Sequence, residues 1–129
     1  MKQLYDEVLR RFPEVASYVS QGDDELPYVV VSYIADWLLS VELDPATIQR
    51  VVDFDRWCID QPRGKTAADD IVSIEVVALR ERLFAHDELL PIVPKLMTRQ
   101  ELLLAREYLT SCVGVDRYQA ALRLTGGVA

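Results

Sequence analysis

The sequence is poor in the residues from which most metal and nucleophilic sites are built. It contains one histidine, His86, and two cysteines, Cys58 and Cys112, in 129 residues. A single imidazole leaves no material for a multi-histidine metal centre or a catalytic triad, and no Glu-x-x-His pair or acidic calcium loop is present. The cysteines lack metal spacing and are expected to be buried thiols in a reducing compartment. We predict no metal, no cofactor and no catalytic residue.

Long apolar runs, glycine-rich loops and stripes of basic residues are also missing. No uninterrupted apolar segment approaches the roughly 20 residues that a membrane-spanning helix needs. The N-terminal segment lacks the apolar core of a secretory signal. Without a phosphate-binding loop or a basic stripe, nucleic-acid binding is not expected. A cytoplasmic protein is the resulting prediction.

Acidic residues are abundant and unevenly distributed along the chain. There are 21 acidic and 14 basic residues, a net charge of −7. Residues 1–62 hold 12 of the acids and 5 of the bases, whereas the two are equal in number from Arg63 onward. A negative field repels phosphate backbones and attracts a basic protein surface, which speeds the encounter between partners. The alternative is that this charge only keeps the protein soluble.

The hydrophobic residues recur at helical spacing, which predicts an all-α fold. Half of the chain is hydrophobic, enough to bury a core. We expect one domain over residues 1–129, an irregular bundle of five to seven helices around a central apolar helix at about residues 67–85. On that helix only a lane through Glu75 and Arg82 is expected to be polar.

Local signals place several helix boundaries. Asp44 followed by Pro45 is typical of a helix beginning, as is Thr98 with Glu101. Residues 25–39 contain a β-branched run that is compatible with a strand. A proline early in that segment and apolar side chains on one helical side favour a helix instead.

In the segment Val51–Asp60, one acidic residue interrupts the apolar side of an otherwise amphipathic helix. Wound as a helix, it has one apolar arc, formed by Ile48, Val51, Val52, Phe54, Cys58 and Ile59. Asp55 falls inside this arc. A buried carboxylate without a partner is costly, so Asp55 is expected to be paired, with Arg82 or Arg56 as the candidates.

The same segment places a tryptophan among charged residues. Trp57 lies nearly opposite the apolar arc, beside Arg50, Asp53 and Asp60. One interpretation is an anchor for a protein interface, where tryptophan is enriched. The other is that a second helix or the N-terminal segment covers the ring, because large aromatic side chains are usually mostly buried.

Four short motifs are notable when they are taken together: Val8–Glu14, Glu25–Pro27, Val51–Phe54 and Asp70–Leu79. This set resembles a group of small acidic helical bacterial proteins that lack an assigned enzymatic activity. Many of its members look like immunity proteins of polymorphic toxin systems. The resemblance implies a helical, non-enzymatic protein and assigns no binding residue. The proline-rich segment Leu90–Pro94 departs from the group.

The leading hypothesis is a non-enzymatic domain that binds another protein with a basic surface, as an immunity-type inhibitor of a toxin would. The predicted partner-binding residues are Asp23, Asp24, Asp53, Trp57 and Asp60. The alternative is a structural or regulatory module that forms a homo-oligomer through Trp37, Trp57 or the C-terminal helix. An enzyme would require a pocket that joins Glu75, Asp55 and His86.

Overall fold

A computed structural model describes residues 2–126, and every regular element in that range is helical. The predicted all-α helical bundle is confirmed. The range contains nine α-helical segments rather than five to seven, in part because the predicted central helix is interrupted. The chain divides into two compact units, a first unit that ends at Leu79 and a second unit that begins at Arg80. The prediction of one domain over residues 1–129 stays a prediction.

The first unit contains four α-helices: α1 (Lys2–Arg11), α2 (Pro27–Leu38), α3 (Pro45–Ile59) and α4 (Ile71–Glu75). Three 3-10 turns, Pro13–Tyr18, Asp23–Glu25 and Ala67–Asp69, lie between them. The predicted start of α3 is confirmed, because the Asp44 carboxylate accepts the Thr47 N–H at 2.7 Å and Pro45 occupies the first turn. The helix favoured over residues 25–39 is also present as α2.

The core of the first unit is built from one side of each long helix. Leu4 and Val8, one turn apart, are fully buried on α1. The buried residues of α2 and α3 are Val30, Val31, Ile34, Ala35, Trp37, Leu38, Val51, Val52, Phe54, Asp55 and Cys58. The opposite side of α3, with Gln49 and Asp53, is exposed to solvent.

The predicted central helix is not a single regular helix. After the 3-10 turn Ala67–Asp69, α4 is followed by a π-helical turn, Val76–Arg80, and then by α5 (Glu81–Ala85). A π turn holds an extra residue and rotates the side chains around it relative to a regular helix. Glu75 is buried and Val77 is 44% exposed. The expectation of a polar lane through Glu75 is therefore wrong.

The second unit contains α5 and four further helices: α6 (Val93–Leu96), α7 (Arg99–Leu104), α8 (Arg106–Val113) and α9 (Val115–Gly126). The capping box at the start of α7 is confirmed, with Thr98 and Glu101 each accepting the other's backbone N–H. Gly114, at a φ of 93°, ends α8.

Tyr118 is the organising side chain of the second unit. It is fully buried on α9, and its hydroxyl donates to the Leu102 carbonyl at 2.9 Å. Because α7 ends at Leu104, that carbonyl lies in the last helical turn, where carbonyls lack intrahelical partners. The bond thus ties α9 to the end of α7.

Within residues 2–126, no helix has the length and apolar character needed to cross a bilayer.

Candidate functional site

Three of the five predicted partner-binding residues share one side of α3. Asp53, Trp57 and Asp60 follow one another at spacings of four and three residues, so they lie on successive turns. Both carboxylates are exposed, and Gln49 Nε2 donates to Asp53 at 2.8 Å. Asp24 is exposed as well, in a separate 3-10 turn. The helix alone therefore brings together two acids and a tryptophan.

Asp23 is buried, unlike the other predicted acids, and its role as a binding residue stays a prediction. Its side chain is only 6% exposed and accepts the Ser20 N–H and the Tyr33 hydroxyl, each at 2.8 Å. Gly22, at a φ of 91°, makes the left-handed turn that precedes it. The Asp23 carboxylate raises the pKa of Tyr33 by accepting its hydroxyl. Asp23 fastens this loop to α2.

Trp57 is half-buried, at the outer end of four neighbouring rings that we call the aromatic row: Trp37, Phe12, Phe54 and Trp57. The ring of Trp57 stacks on Phe54 with centroids 6.3 Å apart and planes at 17°. Phe54 meets Phe12 edge to face at 5.7 Å, and Phe12 lies 5.9 Å from Trp37. Phe54 therefore orients the Trp57 ring while part of that ring stays accessible to solvent.

Arg50 completes the inner end of the aromatic row, and its guanidinium is held by groups outside α3. Its guanidinium lies 5.2 Å from the Phe12 ring centre and 5.1 Å from that of Trp37. It also donates to both carboxylate oxygens of Glu14, at 2.7 and 2.9 Å, and to the Arg11 carbonyl. This pairing holds the pKa of Glu14 below its ordinary value. Arg50 thus joins α3 to the turn that follows α1.

Two exposed residues near the end of α3, Ile59 and Arg56, were not predicted from the sequence to belong to its exposed surface. Ile59 was expected in the buried arc, but it is 50% exposed because it is the last residue of the helix. Arg56 is exposed, and no described residue accepts a hydrogen bond from its side chain. We call Asp53, Arg56, Trp57 and Asp60 the α3 surface, whereas Ile59 lies about 160° around the helix axis from Trp57 and is not part of it. Only the position of Ile59 at the helix end could have signalled its exposure.

The buried acid of α3 behaves as the sequence predicted. Asp55 is 2% exposed and interacts with another group of the protein. Glu75 of α4 is likewise buried and engaged. Both acids lie in the interior of the first unit, away from the solvent side of α3.

The second unit also has exposed apolar side chains. Leu104 is 81% exposed, and Tyr108, one turn later, is 46% exposed. The Tyr108 hydroxyl donates to Glu81 at 2.6 Å, which raises the pKa of Tyr108.

Cys58 is buried as expected, but Cys112 is exposed, so the expectation of two buried thiols is wrong for Cys112.

Asp70 is a structural carboxylate with an expected signature in acid. It accepts from Arg63 Nη2 at 2.7 Å, from the Gly64 N–H at 2.9 Å and from Ser73. The Arg63 bond above all holds its pKa far below the ordinary 3.8. Because the folded-state pKa is lowered, ionised Asp70 stabilises the fold above pH 3.8, and this contribution is lost as the pH falls towards the folded-state value.

We therefore expect Asp70→Asn to destabilise the protein at pH 7 and to differ less from wild type at pH 2.5. The measurement is the urea midpoint of each protein at both pH values. Asp60→Asn, which neutralises an exposed acid, is the control and should change little at either pH. A deficit in Asp70→Asn that stays constant with pH would contradict the assignment.

Comparison with protein-family models, with curated protein sequences and with solved structures finds no match to this chain. Within residues 2–126, no three histidine, cysteine, aspartate or glutamate side chains are grouped so that they could hold a metal ion. The α3 surface is therefore interpreted from its own chemistry.

Proposed function

We propose that this protein is a non-enzymatic binding domain whose α3 surface contacts a protein with a basic face. The observation that carries the proposal is the partly exposed Trp57, which stacks on Phe54 and lies between Asp53 and Asp60 along the helix axis. Tryptophan is enriched among the residues that contribute most to binding at protein interfaces, and the two acids stand within one helical turn of it.

The charge distribution supports a basic partner. Residues 1–79 contain 15 acidic and 7 basic side chains, a formal balance of −8, whereas residues 80–129 have a balance of +1. The field that steers a basic protein therefore originates in the first unit, which also carries the α3 surface. Steering by the acids would precede the desolvated contact of Trp57.

An immunity-type inhibitor of a toxin is the specific form of this function that we favour. It is supported by the resemblance of four short motifs and by the acidity of the first unit. In this form the α3 surface would cover a basic active site of the toxin. We further infer a cytoplasmic location, which two cysteines without a disulfide support.

The alternative is a homo-oligomer, and the second unit favours it more than the first. Trp37 is only 7% exposed, so it is not available as an interface residue. Leu104, at 81% exposed, belongs to the nearly neutral unit, where two copies would not repel each other. A molar mass that rises with concentration in sedimentation, and that stays monomeric in Leu104→Gln, would favour this alternative.

The binding proposal is tested with a phage-displayed library of random 12-residue peptides selected on the wild-type protein. We expect enriched peptides to be rich in lysine and arginine. Trp57→Ala should weaken their binding by about tenfold or more, because truncating a central aromatic residue commonly costs about 2 kcal/mol. Binding is read from the Trp57 emission in a Trp37→Phe background and, for Trp57→Ala, by interferometry.

Two controls accompany this experiment. Asp116→Asn removes an exposed acid of the second unit and should leave peptide affinity within about twofold, whereas Asp53→Asn with Asp60→Asn should slow association. The urea midpoint of Trp57→Ala separates lost contact from lost folding. Peptides without an excess of basic residues, or with equal affinity for Trp57→Ala, would show that the proposal is wrong.

A further inference from the structure

Arg56 is the one feature of the α3 surface that a uniformly basic partner does not explain. It follows Asp53 by three residues and precedes Asp60 by four, and it lies about 40° around the helix axis from Asp60. A partner docked on the two acids and on Trp57 would therefore meet the Arg56 guanidinium as well. Against a purely basic face, this contact would be repulsive.

The acids of α3 leave the Arg56 guanidinium available. Asp53 and Asp60 both stand at spacings that allow ion pairs along a helix, yet neither pairs with Arg56, and Asp53 accepts from Gln49 instead. Arg50, by contrast, has all of its roles inside the first unit, with Glu14 and the Arg11 carbonyl as acceptors. Arg56 thus presents a planar set of donors to the solvent.

The helix dipole alone explains only part of the placement of Arg56. A cation in the last turn of α3 is favourable because the helix dipole is negative there. That effect requires a positive charge somewhere in the turn. It does not require the charge to stand beside Asp60 and one turn from Asp53, where it would meet any protein that binds these acids.

We infer that the basic face of the partner carries an aspartate or glutamate whose carboxylate pairs with the Arg56 guanidinium. This inference rests on the proposed function and adds a specificity-determining residue to it. The two acids select for basic proteins in general. Arg56 rejects those that lack a carboxylate at the matching position, because a like charge or an unpaired guanidinium is left at the contact.

The test uses the peptides selected on the wild-type protein. We expect their consensus to contain one acidic position among the basic ones. Arg56→Glu should weaken binding at least tenfold, and Arg56→Gln should weaken it less. Replacing the acidic position of the peptide by lysine should restore affinity for Arg56→Glu, as expected for a reversed ion pair.

Lys65→Glu is the matched control, because Lys65 is exposed in the loop after α3 and the substitution changes the net charge equally. It should leave the affinity unchanged or raise it. If Arg56→Glu raises the affinity as well, Arg56 only repels the partner and the inference is overturned, while the proposed function stands. If the selected peptides bind independently of Trp57, Asp53 and Asp60, or if none are selected, both are overturned. Urea midpoints show whether each variant is folded.

Discussion

Phe54→Ala is expected to lower the free energy of unfolding of the first unit by about 3–5 kcal/mol, the usual cost of truncating a fully buried phenylalanine. Phe54 is 0% exposed and stands between the rings of Phe12 and Trp57. The substitution leaves a cavity and removes both ring contacts. It should also release the Trp57 ring, so that the emission of Trp57 shifts to the red in a Trp37→Phe background.

The measurement is urea unfolding followed by circular dichroism, with hydrogen exchange to locate the effect. Faster exchange should be concentrated in α1, α2 and α3. Phe54→Leu is the matched control, because it keeps most of the volume and should cost less than about 1.5 kcal/mol. A loss of less than about 1 kcal/mol in Phe54→Ala would mean that the aromatic row does not organise the first unit.

Tyr118→Ala is expected to destabilise the second unit in the same way, lowering its free energy of unfolding by about 3–5 kcal/mol. The ring is fully buried on α9, and its hydroxyl satisfies the Leu102 carbonyl at the end of α7. Tyr118→Phe separates the two contributions. It keeps the ring and leaves the carbonyl without its donor, for which about 1–3 kcal/mol is the usual cost.

Hydrogen exchange distinguishes this prediction from a general loss of stability. The amides of α7, α8 and α9 should exchange faster in Tyr118→Ala, and those of α1 should change less. Tyr108→Phe removes an exposed hydroxyl that donates to Glu81 and serves as the control, with an expected loss below about 1 kcal/mol. Equal stability of wild type and Tyr118→Phe would show that the Leu102 carbonyl does not need this donor.

The helices that the sequence predicted well are those that local chemistry determines. Asp44 and Pro45 define the start of α3, and Thr98 defines the start of α7, because a cap depends only on residues within one turn. The burial of Asp55 also follows from its angular position among apolar residues of α3. Each of these features depends only on residues that are close together in the sequence.

The features that the sequence did not reveal depend on packing or on an altered helical period. A regular 100° rotation per residue cannot anticipate the π turn Val76–Arg80, so Glu75 was expected in a polar lane and is instead buried. Asp23 was taken for a surface acid because its acceptor role towards Tyr33, ten residues away, involves another element. The helical pattern placed Ile59 on the buried side, but α3 ends at this residue and its side chain is half exposed.

The candidate site was therefore predictable in its centre and not at its edges. The placement of Asp53, Trp57 and Asp60 on one side of α3 follows from spacing alone. The half-burial of Trp57 depends on Phe54 and on the aromatic row behind it. Whether the Arg56 guanidinium is free to bind a partner depends on which donors the neighbouring acids use, and Asp53 accepts from Gln49. The sequence allows several such pairings and does not determine which one forms.

The aromatic row has a consequence for how this chain can evolve. Trp57 shares a ring contact with Phe54, and Phe54 is part of the core, so drift at either position is limited by the need to fold. Asp53, Arg56 and Asp60 are exposed and are free of that limit. A lineage that changes its binding partner would accordingly exchange charges on α3 first and keep its rings. Divergent descendants of this protein should therefore differ in charge pattern around a retained tryptophan.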